Sequence, residues 1–278
     1  MHQMDSVKVS NKATYGVTSQ DLYKLFLLKY GDPEETGWAP RRRLRFGYYQ
    51  PADHYEALVN KLVSADTNWL DVGGGRDLFP NNRRLAQTLS ERAHLLVGVD
   101  PSDNIESNTF LNERAKCLIE EYKTDHRFDL VTLRMVVEHV TNPSKVVQSV
   151  NRILRIGGMV VVFTVNLWST VTVISRLLPF KLHYPIKKLF WGGEEKDTFP
   201  TVYKMNTRRR LRTVFGECGF EERYFAYLDD LSVFGRFKFL NYVELLAWRV
   251  LRRLRLRYPE NCLLGIYEKI DACGCPSH

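Results

Sequence analysis

Hydrophobic residues form short, nearly continuous runs along the chain, and these runs alternate with stretches of helical periodicity. The clearest strand-like runs are Asn68–Val72, His94–Asp100, Phe128–Leu133 and Gly158–Thr164, and Ala115–Leu118 predicts a further short strand. Runs rich in β-branched residues, without polar alternation, are typical of strands covered on both faces of a parallel sheet.

Helical periodicity fills the intervals between these runs. Asn81–Arg92 and Ser144–Leu154 carry apolar residues at helical spacing, and Pro143 stands at the start of the second helix. Two later runs, Glu221–Tyr227 and Cys262–Lys269, bring the strand count to seven. The pattern predicts an α/β fold, a Rossmann-like seven-stranded and mostly parallel sheet flanked by helices.

Three regions fall outside that plan. Residues 1–60 predict an N-terminal helical cap packed at the strand ends, before a main domain at 61–278. The main domain has insertions at 166–206, a lid, and at 229–259, a basic amphipathic helix. Ligands of such sheets bind at the carboxyl ends of the strands, so these helical segments are expected to cover the pocket.

The helix predicted inside the second insertion, Leu231–Tyr258, carries one apolar stripe. Its members are Val243, Leu246, Ala247, Val250, Leu251 and Leu254, and the arginines fall mostly elsewhere. We expect the stripe to pack on the domain and the basic face to contact solvent. Leu167–Leu189, in the first insertion, mixes aliphatic residues with lysines and arginines, as expected of a lid that admits an apolar acceptor or contacts a membrane surface.

Composition is ordinary for a globular protein, with 44% hydrophobic and 26% charged residues. The net charge of +8 is concentrated between Arg176 and Arg212 and between Arg236 and Arg257. Such surfaces favour anionic partners, namely phosphates, acidic lipids or nucleic acid.

The chain begins without an apolar segment of signal-peptide type, and its strongest apolar run, Met159–Val165, is too short to span a bilayer. We therefore expect a cytoplasmic protein, with peripheral membrane contact left open, and no disulfides. Cys273, Cys275 and His278 bring soft metal ligands together, but a frayed terminus is the stronger expectation, so no metal site is predicted.

The most informative stretch is the glycine-rich turn after the first strand, Asp71-Val72-Gly73-Gly74-Gly75-Arg76-Asp77. Glycine allows the backbone to turn sharply and a ligand to approach closely, and the following helix offers free N–H groups to an anion. The nicotinamide fingerprint requires a third glycine at position 78, which is Leu78. A nicotinamide enzyme is therefore disfavoured.

Four motifs in order give a better match. Asp71-x-Gly73-x-Gly75, Asp100 at the end of the second strand, Phe128-Asp129-Leu130-Val131 followed by Glu138-His139-Val140, and Leu154-x-x-Gly157-Gly158 occur at regular spacing. The sequence resembles class I S-adenosylmethionine-dependent methyltransferases of the small-molecule group that includes ubiquinone and menaquinone methylases. The resemblance covers about residues 65–165, and it departs from the family loop where Asp77 replaces the third glycine.

The resemblance implies S-adenosylmethionine as cofactor and S-adenosylhomocysteine as its product. Asp100 is expected to accept hydrogen bonds from the ribose hydroxyls, and Ile119 and Glu120 are expected near the adenine ring. The full set of predicted cofactor residues is Asp71, Gly73, Gly74, Gly75, Asp100, Pro101, Ile119, Glu120 and Arg134.

Methyl transfer is an in-line displacement, and it needs a general base only when the nucleophile arrives protonated. The candidates for catalysis are His139, Glu138 and Tyr203. His139 has an equal alternative as a structural histidine. The candidates for substrate contact are His54, Tyr49, Asn166 and Arg208. Arg208 opens a run of three arginines at a helix start, which fits the helix dipole poorly and predicts an anionic ligand there.

Enzymes of this class that methylate amides or nucleobase amines carry Asn/Asp-Pro-Pro-Tyr/Phe after the fourth strand, where this chain has Leu133-Arg134-Met135-Val136. An oxygen, sulfur or carbon acceptor on a small molecule remains, and we predict methyl transfer to an oxygen or sulfur of a small, lipophilic or anionic molecule. The alternatives are a small-thiol methyltransferase and, less favoured, a nucleic-acid methyltransferase or a non-catalytic scaffold. The sequence does not indicate an oligomeric state.

Overall fold

The computed structural model describes residues 15–169, 200–232, 234–256 and 260–270. One seven-stranded sheet organises them, in the order β3-β2-β1-β4-β5-β7-β6. The strands are β1 Asn68–Val72, β2 Leu95–Val99, β3 Glu113–Ala115, β4 Phe128–Arg134, β5 Leu154–Val165, β6 Phe220–Leu228 and β7 Cys262–Lys269. Only β7 runs antiparallel to its neighbours, so the predicted mostly parallel, Rossmann-like sheet is confirmed.

Helices connect and cover the strands. They are α1 Ser19–Tyr30, α2 Trp38–Phe46, α3 Pro51–Leu62, α4 Arg83–Arg92, α5 Pro143–Ile153, α6 Arg208–Glu217 and α7 Lys238–Arg253, with a short 3-10 helix at Asp103–Ser107. Side-chain caps fix several helix starts. Asn82 accepts from the N–H of Leu85, Asn142 accepts from that of Lys145, and Thr207 caps α6.

The core has two layers, one on each face of the sheet. On one face, α5 and α6 bury residues such as Val147 and Phe215 against the sheet. On the other face, α1, α3 and α4 bury Leu25, Leu58 and Leu85 against Trp69 of β1. The helices α1 and α3, which belong to the predicted N-terminal cap, thus cover one face of the sheet together with α4.

Two sequence predictions about local structure need correction. The third strand, predicted at Ala115–Leu118, lies at Glu113–Ala115, where it pairs with Val97–Val99 of β2. The predicted packing of the apolar stripe of α7 is wrong, because Val243, Leu246, Val250 and Leu254 are exposed. The buried side of α7 consists of Asn241, Glu244, Leu245 and Trp248.

Trp248 explains the direction in which α7 faces. Its ring packs edge-on against Tyr48, with 5.2 Å between ring centroids, and its Nε1 donates to Asp229 Oδ2 at 2.9 Å. The hydroxyl of Tyr48 accepts from the N–H of Leu231 and donates to the carbonyl of Asp229. These contacts outweigh the alternative burial of the aliphatic stripe.

The helix α7 connects the end of β6 to the start of β7. Val165 at the end of β5, Leu228 at the end of β6 and Cys262 at the start of β7 lie side by side. α7 therefore emerges at the carboxyl edge of the parallel strands, the edge where β1, β2 and β4 also end.

Within the described ranges, no helix combines the length and apolar character needed to cross a membrane. Most of the predicted lid, residues 170–199, and the terminal Cys273, Cys275 and His278 lie outside the described residues.

Candidate functional site

The glycine turn follows β1 at the carboxyl edge of the sheet. Gly73 adopts a φ of 75°, and its N–H donates to the carbonyl of Val99 at 2.8 Å. A Cβ atom at Gly73 would approach Val136 Cγ2 to 2.3 Å, so only glycine fits between this turn and the loop after β4. Buried Asn108 donates to the carbonyls of Gly74 and Gly75 at 3.1 and 3.3 Å and holds the turn from the other side.

Asp100 closes β2 and faces the same turn. The N–H of Gly75 donates to Asp100 Oδ2 at 3.0 Å, and that of Ser102 donates to Oδ1 at 2.7 Å. A carboxylate has about four acceptor sites, so each oxygen retains capacity for one more donor. The geometry fits the predicted contact with two vicinal hydroxyl groups.

Asp71 is buried beneath the turn and is held by a chain of hydrogen bonds. Trp69 Nε1 donates to Thr132 Oγ1 at 2.7 Å, and Thr132 donates to Asp71 Oδ1 at 2.6 Å. Burial raises the pKa of Asp71 to about 7, although the Thr132 hydrogen bond and the Arg134 cation lower it and Asp100 raises it. Asp71 is thus a buried carboxyl group that titrates near neutrality.

We expect this carboxyl group to make stability depend on pH. Its pKa in the folded chain lies above the unfolded value of 3.8, so the folded state binds more protons between about pH 4 and 7. The free energy of unfolding therefore falls as pH rises through that window, and Asp71→Asn should abolish the loss. One pKa unit corresponds to about 1.4 kcal/mol, so the difference amounts to a few kcal/mol.

Thermal melts of wild type and Asp71→Asn without cofactor, at several pH values from 5 to 8, measure this effect. Asp71→Asn should become steadily more stable relative to wild type as pH rises. Asp66→Asn, at an exposed position, is the control for loss of one charge. A constant difference between wild type and Asp71→Asn across this range would contradict the assignment.

The three predicted catalytic residues lie close together: Glu138 and His139 follow β4, and Tyr203 lies in the segment before α6. The N–H groups of Val202 and Tyr203 both donate to the backbone carbonyl of Glu138, at 2.8 and 3.0 Å. Lys204 Nζ donates to the carbonyl of Thr141 at 2.7 Å. Residues 202–204, before α6, are thus hydrogen-bonded to the loop that contains Glu138 and His139.

The Glu138 side chain is buried in a polar network. Thr164 Oγ1 donates to Glu138 Oε2 at 2.8 Å, and Asn206 Nδ2 donates to Thr164 Oγ1 at 2.8 Å. Burial raises the pKa of Glu138, opposed by the Thr164 hydrogen bond and by the charges of His139 and Arg134. This network joins the ends of β4 and β5 to the segment before α6.

The imidazole of His139 has a defined tautomer when it is neutral. Its Nδ1 lies 3.0 Å from the carbonyl oxygen of Pro200. A carbonyl can only accept, so Nδ1 carries the proton and Nε2 is the acceptor nitrogen. A histidine in this state can accept a proton through Nε2.

Backbone strain accompanies this loop. Met135 and Tyr203 have φ values of 53° and 52°. Such conformations cost of the order of 1–3 kcal/mol for residues other than glycine and recur at functional sites. Met135 is held by the bond from its N–H to the carbonyl of Phe163, at 2.8 Å.

The remaining predicted cofactor residues surround the same edge. Pro101 is exposed after Asp100, and Ile119 is buried in the core. Arg134 ends β4, and its charge acts on both Asp71 and Glu138. Glu120 borders a cavity of about 900 Å³ whose opposite wall is the outer side of α5. None of the residues that line this cavity belongs to the glycine turn.

Of the predicted substrate residues, Tyr49 and His54 lie at the start of α3. Their rings meet edge-on with 6.5 Å between centroids. Burial lowers the pKa of His54 to about 4, assisted by the Arg252 charge and opposed by Asp53. His54 is therefore neutral at physiological pH.

Asn166 and Arg208 are occupied by contacts within the chain. Asn166 Nδ2 donates to the carbonyl of Glu260 at 2.7 Å, and its Oδ1 accepts from the N–H of Trp168. Arg208 pairs with Glu222 of β6 at 2.7 Å. The expected anionic ligand is thus not needed to neutralise Arg208, because an internal carboxylate does so.

Sequence reasoning missed the polar residues that support the site: Thr132, Asn108, Thr164 and Asn206. No motif marks them, since each is a common polar residue inside a strand or loop. The one available signal was Thr132, a polar side chain between the apolar residues Val131 and Leu133 of β4. Among the described residues, no group of three or more His, Cys, Asp or Glu side chains is arranged to hold a metal ion.

Comparison with known proteins agrees with this geometry. Residues 41–223 match the family model described as a methyltransferase domain. A ubiquinone biosynthesis O-methyltransferase of Coxiella burnetii is 23% identical over 159 residues, covering 54% of this chain and 65% of that protein. One of the same name from Shewanella halifaxensis is 30% identical over 153 residues, covering 49% of this chain and 63% of that protein.

The fold also matches solved structures. The crystal structure of a putative S-adenosylmethionine-dependent methyltransferase from Listeria monocytogenes aligns with a TM-score of 0.50 and 12% identity. The alignment covers 80% of this chain and 99% of that one. At this identity the likeness concerns the fold alone. The curated relatives above are matched over less than two thirds of their own length.

Proposed function

This chain belongs to the class I S-adenosylmethionine-dependent methyltransferases, and we propose that it methylates an oxygen or sulfur of a small lipophilic or anionic molecule. The observation that carries the proposal is the packing of the glycine turn, which bonds Asp100, against Val136, whose carbonyl accepts from the N–H of His139. When bound, S-adenosylmethionine would supply a methyl group on a sulfonium; a nucleophile in line would accept that methyl group, and the sulfur would leave as the thioether S-adenosylhomocysteine.

The chain's own residues suit that cofactor. Asp100 retains acceptor capacity for two hydroxyls, and the turn at Gly73 leaves no room for a side chain. Asp71 is buried beneath the turn, and the positive charge of Arg134 acts on its carboxyl group. These groups bind and orient, and such positioning contributes about 7–11 kcal/mol in well-oriented reactions.

Two observations support an oxygen or sulfur acceptor. The amine-type motif is absent from positions 133–136. The curated relatives bear the name O-methyltransferase, and their names concern ubiquinone biosynthesis. A phenolic hydroxyl or a thiol arrives protonated near neutral pH, so a base that removes its proton assists the transfer.

His139 is the proposed base. Its bond to the Pro200 carbonyl orients the ring and leaves Nε2 as the nitrogen that accepts a proton. Glu138 has a different role in this proposal, since its carboxylate bonds Thr164 and its backbone carbonyl fastens the segment of Tyr203. Glu138 therefore positions the loop that holds His139.

The function is tested by incubating the full chain with S-adenosylmethionine and separate sets of catechols, simple phenols, quinols and thiols. Formation of S-adenosylhomocysteine and of the methylated acceptor is measured by mass spectrometry. Turnover with hydroxyl acceptors supports the leading proposal, and turnover confined to small thiols supports the alternative. Cofactor binding with no turnover in any set would favour a scaffold and contradict the proposal.

We expect His139→Gln to lower turnover of a phenol about 100-fold or more, the usual contribution of a positioned base. Affinity for the cofactor, measured by calorimetry, should change less than about twofold, because His139 is not among the residues predicted to bind the cofactor. His126→Gln is the control, since His126 is exposed and pairs with Glu113 before β4.

The same variant gives a sharper comparison when the acceptor is already ionised. A strongly acidic phenol needs no base, so His139→Gln should turn it over about as fast as wild type. An equal loss with both acceptors would assign His139 a structural role. No loss with either acceptor would place the base elsewhere.

A further inference from the structure

The outward row of α7 is the largest run of exposed apolar side chains on one described helix. Its members are Phe239, Val243, Leu246, Val250 and Leu254, with exposed fractions of 76%, 45%, 44%, 46% and 63%. Successive members are three or four residues apart, so they form one ridge about 22 Å long. A contiguous apolar ridge on a surface marks a contact with a partner or a membrane.

The second helix, α2, lies against α7, and arginines of both helices stack on aromatic side chains at this contact. Arg42 stacks over the rings of Trp38 and Tyr242, at 5.0 and 5.6 Å from their centroids. Arg249 lies 5.8 Å from the centroid of Phe46. We name these two helices the α2–α7 platform.

A cavity of about 450 Å³ opens between the two helices of the platform. It is lined by Thr36, Trp38, Arg41, Arg42, Arg45, Phe46 and Tyr242. Three of these side chains are guanidinium groups and none is acidic. Guanidinium groups bind phosphate through paired N–H donors, and the aromatic walls suit a partly apolar ligand.

The charges of the platform are nearly all of one sign. α2 contains no acid, and the one acid of α7, Glu244, lies on its buried side. Two nearby carboxylates are engaged, since Glu34 lies 4.0 Å from Arg41 and Asp229 lies 3.8 Å from Arg252. Asp32 and Glu35 are the other acids in the turn before α2. Lys238, Arg45, Arg249 and Arg253 remain around the apolar ridge.

We propose that the α2–α7 platform docks on an anionic phospholipid surface, with the ridge of α7 entering the acyl boundary and the arginines at the level of the headgroups. An apolar face bordered by basic side chains is the arrangement found in helices that lie in a membrane interface. A second copy of the chain would bring like charges together, and a nucleic acid offers no apolar surface for the ridge.

Docking at this position would bring the candidate active site close to the membrane. α7 emerges at the carboxyl edge of the sheet, where the glycine turn also lies. Exposed Trp168, which follows β5 at the same edge, is of the type enriched at membrane interfaces. Docking is independent of the acceptor, whereas supply of a lipophilic acceptor from the bilayer rests on the proposed function.

The test is flotation of the full chain with vesicles of phosphatidylcholine alone or mixed with phosphatidylglycerol. We expect binding to the mixed vesicles only. Arg45→Gln/Arg253→Gln should weaken it about 25-fold, since each arginine near an anionic bilayer contributes about fivefold. Arg209→Gln/Arg212→Gln, which removes two exposed charges from α6, should bind like wild type.

A second matched pair tests the apolar ridge. Leu254 and Ile156 are exposed to 63% and 65%, and Ile156 lies at the start of β5, on the opposite edge of the sheet. Leu254→Glu should weaken vesicle binding about tenfold or more, because an inserted leucine is lost. Ile156→Glu should have no effect.

Several outcomes would overturn the proposal. The first is equal vesicle binding by both members of either matched pair of variants. The second is vesicle binding that inorganic phosphate or a DNA duplex abolishes. The third is a dimer of the wild-type chain in the absence of vesicles, which Leu254→Glu dissociates. A lower melting temperature in Leu254→Glu alone would show that this chain itself covers the ridge. Because flotation needs no turnover, failure of docking is distinguishable from failure of the proposed methyl transfer.

Discussion

Replacing Asp100 with alanine should weaken S-adenosylmethionine binding about 100-fold or more. Two hydrogen bonds to a charged acceptor contribute roughly 1.5–3 kcal/mol each, and both are expected to be lost. The change also removes the acceptor of the Gly75 and Ser102 N–H groups, which fix the turn before any ligand binds. The loss should appear in affinity measured by calorimetry with the cofactor and with S-adenosylhomocysteine.

Two further variants interpret that result. Asp100→Asn keeps one acceptor oxygen without the charge, so its affinity should lie between those of wild type and Asp100→Ala. Asp103→Ala removes an exposed carboxylate three residues away, which pairs with Lys116. Its affinity should remain within about twofold of wild type, because an exposed ion pair contributes little. If Asp100→Ala and wild type bind the cofactor equally well, Asp100 does not accept hydrogen bonds from the ribose hydroxyls.

Strands buried on both faces were the part of the fold most accessible from sequence. The predicted bounds of β1 and β7, Asn68–Val72 and Cys262–Lys269, agree with the structure, because continuous apolar runs between polar residues allow one assignment. β3 was misplaced because it is an edge strand of three residues, none of them buried. Its position depends on its partner β2, which local composition does not reveal.

The error in α7 has a different physical origin. The helical periodicity correctly grouped the apolar residues of α7 on one face, but it does not show which face of the helix packs against the rest of the domain. Trp248 decides the matter, since its indole N–H is paired with Asp229 and its ring with Tyr48. Asp229 lies 19 residues before Trp248, and Tyr48 comes from the distant N-terminal region. The exposed ridge that results is the basis of the proposed membrane contact.

The candidate site divides in the same way. The glycine turn and Asp100 follow from the order of motifs, since both are fixed to strand ends. The predicted catalytic residues Glu138, His139 and Tyr203 do lie together. Tyr203 belongs to a segment far along the chain, and its neighbour Lys204 bonds Thr141 across 63 positions. Asn166 and Arg208 illustrate the limit, because single polar residues find internal partners that sequence does not show.

Replacing Gly73 with alanine should abolish most cofactor binding and destabilise the fold. The φ of 75° costs an alanine about 1–2 kcal/mol, and the new Cβ would stand 2.3 Å from Val136 Cγ2. Valine is stiff about χ1, so relief requires the turn or the loop after β4 to move. Movement of the turn would displace the Gly75 N–H that faces Asp100, and movement of the loop would displace the segment that holds His139.

Gly157→Ala isolates the backbone cost from the clash. Gly157 has a φ of 80°, and a Cβ there would meet nothing within 4 Å. Gly157→Ala should therefore lower the free energy of unfolding by about 1–2 kcal/mol, the same backbone cost as in Gly73→Ala. Its affinity for the cofactor should stay unchanged. Thermal melts and calorimetry on both variants separate the two contributions.

The double variant Gly73→Ala/Val136→Ala completes the comparison. It removes the clashing methyl group and leaves the Val136 Cβ position at 3.7 Å, an ordinary contact. Affinity should recover toward that of Val136→Ala, whereas the backbone cost should persist in the melting temperature. If binding does not recover, the requirement for glycine comes from the ligand's own approach to the turn. If Gly73→Ala binds like wild type, the cofactor does not use this turn.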